Sequence, residues 1–173
     1  MTVPVPVDVL VRADLDVLTV LAGVTRDNKP GFVSADLADW ERFVPIAGLE
    51  VPALPYRLRD VERGEEYLNW SPDEALAAIH ERGRTPLTVA EGVALLAQHP
   101  GLLEPNKCFM LLGSRCGDRR VPALWISGGT GKDGRARKGA AKLGWCWAGN
   151  RHTWLGHASA AARVPSPSTA RSN

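Results

Sequence analysis

Hydrophobic and polar positions alternate over several stretches of the chain, and this period of two predicts β-strands. Residues 1–24 set valine and leucine between acidic residues and predict one or two short strands. Residues 56–61 alternate in the same way and predict a half-exposed strand. Between these two stretches, residues 36–43 predict at most a short helix, and the proline-rich residues 44–55 are expected to be irregular.

Two consecutive helices have the clearest local signals. Ser71 precedes a proline at the first helical position, and Glu74 follows three residues after Ser71, as in a capping box. Thr88 and Glu91 repeat this arrangement, and apolar residues at helical spacing follow each box. We expect the two helices to pair as a hairpin within residues 71–99. The second helix has no lysine or arginine, which argues against a DNA-reading helix-turn-helix.

The second half of the chain returns to strand-like patterns. Apolar runs at residues 108–112, 120–127 and 142–147 predict an antiparallel meander of three strands. The predicted fold class is therefore α+β, an antiparallel sheet with the two-helix hairpin packed on one face. Residues 1–162 are predicted to form a single domain, and residues 163–173, rich in serine and proline, a disordered tail.

The sequence also bears on location and cofactors. The longest apolar stretch is interrupted by charges before it reaches the roughly 18 residues of a membrane span. The first residues lack the features of a secretory signal, so we expect a cytoplasmic protein without a membrane contact. Three cysteines are an odd number and indicate reduced thiols. They form no CxxC pair, and no catalytic motif is present, so we expect no metal, no cofactor and no enzymatic activity.

Charge is divided unevenly along the chain. Residues 1–104 hold 17 of the 19 acidic residues and nine basic ones, a net charge of −8. Residues 105–173 hold 12 basic residues and two acidic ones, a net charge of +10. This division either neutralises itself across the fold or points to an anionic partner. The basic residues around the predicted hairpin loops are Arg115, Arg119, Arg120, Lys132, Arg135, Arg137 and Lys138.

The stretch at residues 127–134 invites comparison with a phosphate-binding loop, because it combines four glycines with a lysine. The match is incomplete. Ile126 stands where the first glycine of that motif belongs, and Asp133 replaces the serine or threonine that would hold Mg²⁺. We interpret this stretch as a hairpin connection between two strands.

Aromatic and polar residues are concentrated at residues 142–157. Aromatic faces beside arginine side chains can stack nucleic-acid bases or hold a planar ligand. The same tryptophans are also compatible with an ordinary hydrophobic core. The candidate residues of this stretch are Trp145, Trp147, Asn150, Arg151, His152 and Trp154.

Three long strings carry a resemblance to a known family: YLNWSPDEA at residues 67–75, NKCFMLLGS at 106–114 and LGWCWAGNRHTWLG at 143–156. Together they resemble an uncharacterised actinobacterial family of unknown function, over roughly residues 30–163. The resemblance implies a bacterial cytoplasmic protein but assigns no activity. It also implies a longer, helical N-terminal region in other members, so residues 1–30 are expected to be divergent or shortened here.

Three hypotheses of function follow. The first is a non-enzymatic regulatory or accessory protein, related to transcription, whose basic C-terminal half contacts nucleic acid or another anionic partner. The second is a small-molecule-binding protein or enzyme with a tryptophan-lined pocket around Arg151 and His152. The third is a structural module for protein–protein interaction, which would expose a contiguous apolar patch.

Overall fold

The computed structural model describes residues 7–166 and has an α+β architecture with several small sheets. Its three helices are α1 (Val17–Ala22), α2 (Pro72–Glu81) and α3 (Val89–Gln98). Its strands, in chain order, are β1 (Val7–Val11), β2 (Thr25–Arg26), β3 (Lys29–Pro30), β4 (Phe32–Val33), β5 (Val44–Pro45), β6 (Tyr56–Val61), β7 (Thr85–Pro86), β8 (Cys108–Met110), β9 (Ser114–Arg115), β10 (Arg120–Ile126), β11 (Ala141–Trp147), β12 (Leu155–His157), β13 (Ser159–Ala160) and β14 (Ala162–Pro165).

The largest sheet has five strands in the order β12-β8-β10-β11-β4. Its three central strands, β8, β10 and β11, pair antiparallel, as the meander prediction requires. The two edge strands differ from the prediction, because β12 runs parallel to β8 and β4 runs parallel to β11. The sheet is therefore mixed. Short segments from distant parts of the chain form both of its edges.

A second sheet has three antiparallel strands in the order β1-β6-β14. The half-exposed character predicted for residues 56–61 is present, because Tyr56, Leu58 and Val61 are buried while the intervening residues are exposed. The prediction of a disordered tail from Arg163 is wrong for residues 163–165, which pair with β6. Backbone pairing and the buried Arg163 side chain hold this segment despite its composition. Ser166 follows with its backbone N–H donating to the Pro55 carbonyl at 3.2 Å, and residues 167–173 of that predicted tail lie outside the described residues.

The N-terminal prediction is half right. Val7–Val11 forms a strand, but Val17–Ala22 forms helix α1. The Asp16 side chain caps this helix by accepting a hydrogen bond from the Thr19 backbone N–H at 3.2 Å. Its apolar residues fit a helical face as well as a strand, and the cap decides between the two. The short helix predicted at residues 36–43 consists of two single 3₁₀ turns, Ala35–Leu37 and Trp40–Arg42.

Both predicted capping boxes are present, at Ser71 with Glu74 and at Thr88 with Glu91. The predicted hairpin packing of the two helices is not confirmed. Helix α2 contacts β7 and β12, whereas α3 contacts α1 and β1. Strand β7 lies between the helices in sequence and pairs with β13, which directs the two helices to different neighbours.

One cluster of buried apolar side chains joins the two main sheets and the helices. Phe109 and Leu124 sit opposite each other in the register of the large sheet, and both are fully buried. No helix within residues 7–166 is long and apolar enough to cross a membrane.

Candidate functional site

The seven predicted basic residues fall at two ends of strand β10. Arg115, Arg119 and Arg120 precede or begin the strand, and the other four lie in the connection from β10 to β11. Because a seven-residue strand spans about 20 Å, the two groups do not form one continuous surface. The seven predicted basic residues are therefore separated in space into a group of three and a group of four.

Arg120 is committed to interactions within the fold. Its guanidinium group pairs with Asp39 and with Asp118, each at 2.8 Å, and it lies 5.1 Å from the centre of the Phe43 ring. The hydrogen bond from Arg120 lowers the pKa of Asp39 to about 2. The ion pair with Asp39 joins the start of β10 to the turn around Trp40, and the Arg120 side chain is only 15% exposed. It is not free to meet a partner.

Its two neighbours differ. Arg115 is half-buried and donates to the backbone carbonyl of Asp118 at 3.0 Å, while its Nε is buried without a hydrogen-bond partner among the described residues. Arg119 is exposed beside the turn after β11. This end of the sheet therefore presents one exposed arginine rather than a cluster.

The other end of the sheet carries the glycine-rich loop, residues 127–140. It contains two 3₁₀ turns, Gly131–Asp133 and Arg135–Arg137. Gly129 has φ of +72°, and a Cβ atom there would lie 2.7 Å from the Lys138 Cβ. Glycine is required at this position because both the backbone conformation and the space exclude a side chain. The loop therefore folds back closely on itself.

Asp133 fastens the glycine-rich loop to the protein. Its carboxylate accepts hydrogen bonds from Ser34 Oγ at 3.1 Å and from the Ala35 backbone N–H at 2.8 Å, and it pairs with Lys142. Burial by itself raises the pKa of Asp133, but Lys142 and the hydrogen bonds from Ala35 and Ser34 together outweigh it and leave the pKa below its ordinary value. This aspartate takes the place where a phosphate-binding loop has a hydroxyl residue, and here it holds the loop instead.

The loop's cations remain exposed beside the β2–β3 hairpin. Arg26 donates to the Gly139 carbonyl at 3.2 Å, and Lys29 donates to the Lys138 carbonyl at 2.5 Å. Arg137 lies 4.3 Å from the centre of the Phe32 ring. Within residues 7–166, none of these cations forms an ion pair with a carboxylate. We call this set the basic loop surface: Arg26, Lys29, Lys132, Arg135, Arg137 and Lys138.

Sequence reasoning missed Arg26 and Lys29, because they are more than 100 residues away from the loop that they contact. No spacing rule connects them to it. Asp27, in the same hairpin, lies close to Gly139 and offsets part of the positive charge.

The predicted aromatic group is divided between the two faces of the large sheet. Trp145 and Trp147 share one face, with ring centres 4.4 Å apart. Trp154 packs with Trp125 and His152 on the other face, with ring centres 6.1 and 5.2 Å away. Residues of a strand alternate between faces, so Trp125 is opposite Lys142 in register and away from Trp145. The predicted tryptophans therefore do not line one pocket.

The polar members of this group are likewise dispersed. Arg151 pairs with Glu74 at 2.8 Å and donates to the Asn69 carbonyl at 3.2 Å. Asn150 is exposed in the turn after β11. His152 is half-buried, burial lowers its pKa, and its Nε2 has no hydrogen-bond partner among residues 7–166.

A cavity of about 280 Å³ is lined by Trp125, Trp154 and Arg26, among other residues. The Lys142 ammonium group lies 5.0 Å from the centre of the Trp125 ring. Because Arg26 also belongs to the basic loop surface, the aromatic cavity adjoins exposed positive charge. A flat aromatic group in the cavity would therefore have cations beside it.

Nucleophilic chemistry gains no support from the cysteines. Burial raises the pKa of Cys146 to about 11, so this residue stays a thiol at neutral pH. Burial likewise raises the pKa of Cys108. The three cysteines are free, and within residues 7–166 no three histidine, cysteine or carboxylate side chains gather as metal ligands.

Fold and site together define an α+β protein with a mixed central sheet, on which a glycine-rich basic loop adjoins an aromatic cavity. The chain belongs to a family of unknown function (DUF5701), whose model matches residues 4–166. This match extends past both ends of the resemblance found by sequence, at residues 30–163. No curated protein and no solved structure matches the chain.

Proposed function

We propose that this protein is a non-enzymatic accessory protein that binds single-stranded nucleic acid through the basic loop surface and the adjoining aromatic cavity. A regulatory role related to transcription, a cytoplasmic location and an actinobacterial origin belong to the same proposal. The observation that carries it is the contact between Arg26 and the glycine-rich loop, because this contact joins the exposed cations to the Trp125–Trp154 cavity.

The charges support a phosphate backbone as the partner. Lys132, Arg135 and Lys138 are exposed and unpaired within residues 7–166, so no internal carboxylate must be displaced when a phosphate binds. Contacts between lysine or arginine and phosphate give affinity without sequence preference. Glycines with positive φ keep the loop backbone close to these side chains, and backbone N–H groups are further donors to phosphate oxygens.

The cavity favours a single strand over a duplex. Unpaired bases stack on tryptophan faces, and each such contact contributes about 1–3 kcal/mol. In a duplex the bases are already stacked on one another and do not reach the cavity lined by Trp125 and Trp154. The expected order of affinity is therefore single-stranded DNA or RNA above double-stranded DNA.

The test is fluorescence anisotropy of a labelled single-stranded 12-mer and a matched duplex at low salt. The triple variant Lys132→Gln/Arg135→Gln/Lys138→Gln should bind the single strand at least tenfold more weakly. The matched control Arg12→Gln/Arg57→Gln/Arg59→Gln removes the same charge from exposed positions on or next to the three-stranded sheet and should bind within twofold of the wild type.

Equal losses in both triple variants would show that only net charge matters and would contradict the site. Trp154→Leu separates the two parts of the proposal. It should weaken single-strand binding and leave the weaker duplex binding unchanged, because only the stacking contact is removed. Absence of binding by the wild type at low salt would reject the proposal as a whole.

A further inference from the structure

An apolar cleft of about 660 Å³ opens between β1, helix α3 and the turn at Trp40–Arg42. It shares no lining residue with the basic loop surface or the tryptophan cavity. Its lining includes Trp40, Phe43, Val11, Leu15 and Val89, the first residue of α3. The buried Tyr56 ring forms part of the lining.

The rim of the cleft is apolar as well. Val51 is 38% exposed and Leu54 is 47% exposed, and both line the opening. Val44, next to the lining residues Phe43 and Pro45, is 55% exposed. Several exposed aliphatic side chains around one concave apolar surface are unusual for a surface in contact with water alone. The volume lies within the range of sites that hold small molecules.

The charges of the lining restrict what it can hold. Glu41 is its one acidic residue, and no lysine, arginine or histidine lines it. Burial and the nearby Glu91 carboxylate raise the pKa of Tyr56, so this phenol stays neutral. An anionic ligand would therefore meet no countercharge and would lie near a carboxylate.

Besides Glu41 and Tyr56, the lining contains two aliphatic hydroxyl groups, those of Thr88 and Ser114. Thr88 Oγ1 accepts from the Glu91 backbone N–H at 3.2 Å, and Ser114 Oγ accepts from the Val89 backbone N–H at 2.9 Å. Each hydroxyl acts as an acceptor in these bonds, and its own proton has no acceptor among residues 7–166. Both hydroxyls can therefore donate to an acceptor oxygen on a bound molecule.

We propose that this cleft binds an uncharged, mostly apolar small molecule that carries a carbonyl or ether oxygen. The apolar body contacts Trp40, Phe43 and the aliphatic rim, and the oxygen accepts hydrogen bonds from Thr88 and Ser114. Because the cleft and the proposed nucleic-acid site share no residue, binding of this ligand does not depend on the function proposed above.

Nile red is a suitable probe, because it is uncharged and carries a carbonyl and a ring ether. Its fluorescence should rise saturably with the wild-type protein. Ala90→Phe places a ring in the cleft and should weaken Nile red binding at least tenfold. Ala97→Phe, on the same helix but facing solvent, is the matched control and should leave the affinity within twofold.

A variant at the rim of the cleft provides a second test in case Ala90→Phe does not fold. Leu54→Ser changes a half-exposed side chain and should weaken Nile red binding severalfold in a protein with an unchanged circular dichroism spectrum. The anionic dye 1-anilinonaphthalene-8-sulfonate should bind more weakly than Nile red.

Three results would overturn the proposal. The first is no saturable Nile red binding by the wild type. The second is equal Nile red affinity in Ala90→Phe, Leu54→Ser and the wild type. The third is a wild-type dimer in sedimentation equilibrium that Ala90→Phe converts to a monomer, since the cleft would then hold a second copy of the chain.

Discussion

Glu91 is a fully buried charge with several polar partners around it. Arg163 donates to both of its carboxylate oxygens, at 2.6 and 2.7 Å, and the Tyr56 hydroxyl donates to it at 2.6 Å. Arg163 also donates to Thr85 Oγ1 at 2.6 Å and to the Pro86 carbonyl at 2.7 Å. Strand β14 is thereby joined to helix α3 by a group whose removal leaves a buried charge unpaired.

The first prediction concerns this pair. Arg163→Met should lower the free energy of unfolding by about 3–5 kcal/mol, because the Glu91 carboxylate then remains buried without its cation. The double variant Arg163→Met/Glu91→Gln should recover part of that loss, since the buried charge is gone and the amide oxygen can still accept the Thr88 backbone N–H bond. Urea unfolding measures both. A double variant less stable than Arg163→Met would argue against an unpaired charge as the cause.

The second residue prediction concerns His157, which is 1% exposed. Burial lowers its pKa to about 4 from an ordinary value of 6.5. The unfolded chain therefore binds a proton that the folded protein excludes between these values, so stability is full above pH 6.5 and falls as the pH drops toward 4. The loss from this group at pH 4 is about 3 kcal/mol.

His157→Gln provides the comparison, because glutamine does not titrate. Between pH 7 and 4, urea unfolding should show a smaller fall in stability for this variant than for the wild type, whatever its stability at pH 7. Carboxylates with a lowered pKa, such as Glu74 and Asp118, lose their contribution to stability mainly below the range of pH 7 to 4, in the variant and the wild type alike. Parallel pH curves would show that His157 does not control this slope.

At the scale of elements, short local signals decide where helices begin. Ser71 Oγ accepts from the Glu74 backbone N–H at 3.3 Å, and Glu74 Oε1 accepts from the Ser71 backbone N–H at 3.0 Å. Arg151, from the turn after β11, pairs with the same Glu74 carboxylate. One residue therefore both caps helix α2 and attaches it to the large sheet.

The element prediction is a substitution at the cap. Ser71→Ala should lower the free energy of unfolding by about 1 kcal/mol, because the Glu74 N–H loses its acceptor. Ser71→Asp keeps an acceptor at the helix start and should remain within about 0.5 kcal/mol of the wild type. Thermal or urea unfolding measures the difference. Equal losses in both variants would mean that the side-chain volume at this buried position matters more than the cap.

At the scale of the whole molecule, the uneven charge along the sequence produces an uneven distribution of charge on the surface. Part of it is neutralised internally, as Arg120 with Asp39 and Arg163 with Glu91 show. The six cations of the basic loop surface lie where the glycine-rich loop meets the β2–β3 hairpin, whereas Arg119 is exposed at the other end of β10. Electrostatic binding at such a surface releases counterions and depends steeply on salt.

The prediction at this scale is quantitative. If four to six cations of the basic loop surface contact phosphates, the logarithm of the single-strand affinity should fall with the logarithm of salt concentration with a slope of about −3 to −4. Anisotropy titrations between 50 and 200 mM salt measure the slope. The triple variant of the loop should reduce its magnitude by about 2. A slope near zero would show that the basic loop surface makes no phosphate contacts.

The sequence by itself determined what depends on neighbouring residues: both capping boxes, the alternation of Tyr56–Val61 and the three central strands of the large sheet. Each is set by hydrogen bonds or side-chain periodicity within a few positions, so the pattern is visible in the chain. The mistake at Val17–Ala22 arose because the five apolar residues of this six-residue segment fit either period, and the cap at Asp16 decided between them.

The tertiary structure alone decided which distant segments meet. Edge strands of two to four residues, such as β4, β12 and β14, carry too few positions to show a period, and their pairing partners lie far away in sequence. The same holds for the site: loop cations are readable from the sequence, but Arg26 and Lys29 join them only because β2–β3 packs beside residues 138 and 139. Trp154 is separated from Trp145 and Trp147 because it packs against Trp125 on the opposite face of the large sheet, and no local pattern encodes that contact.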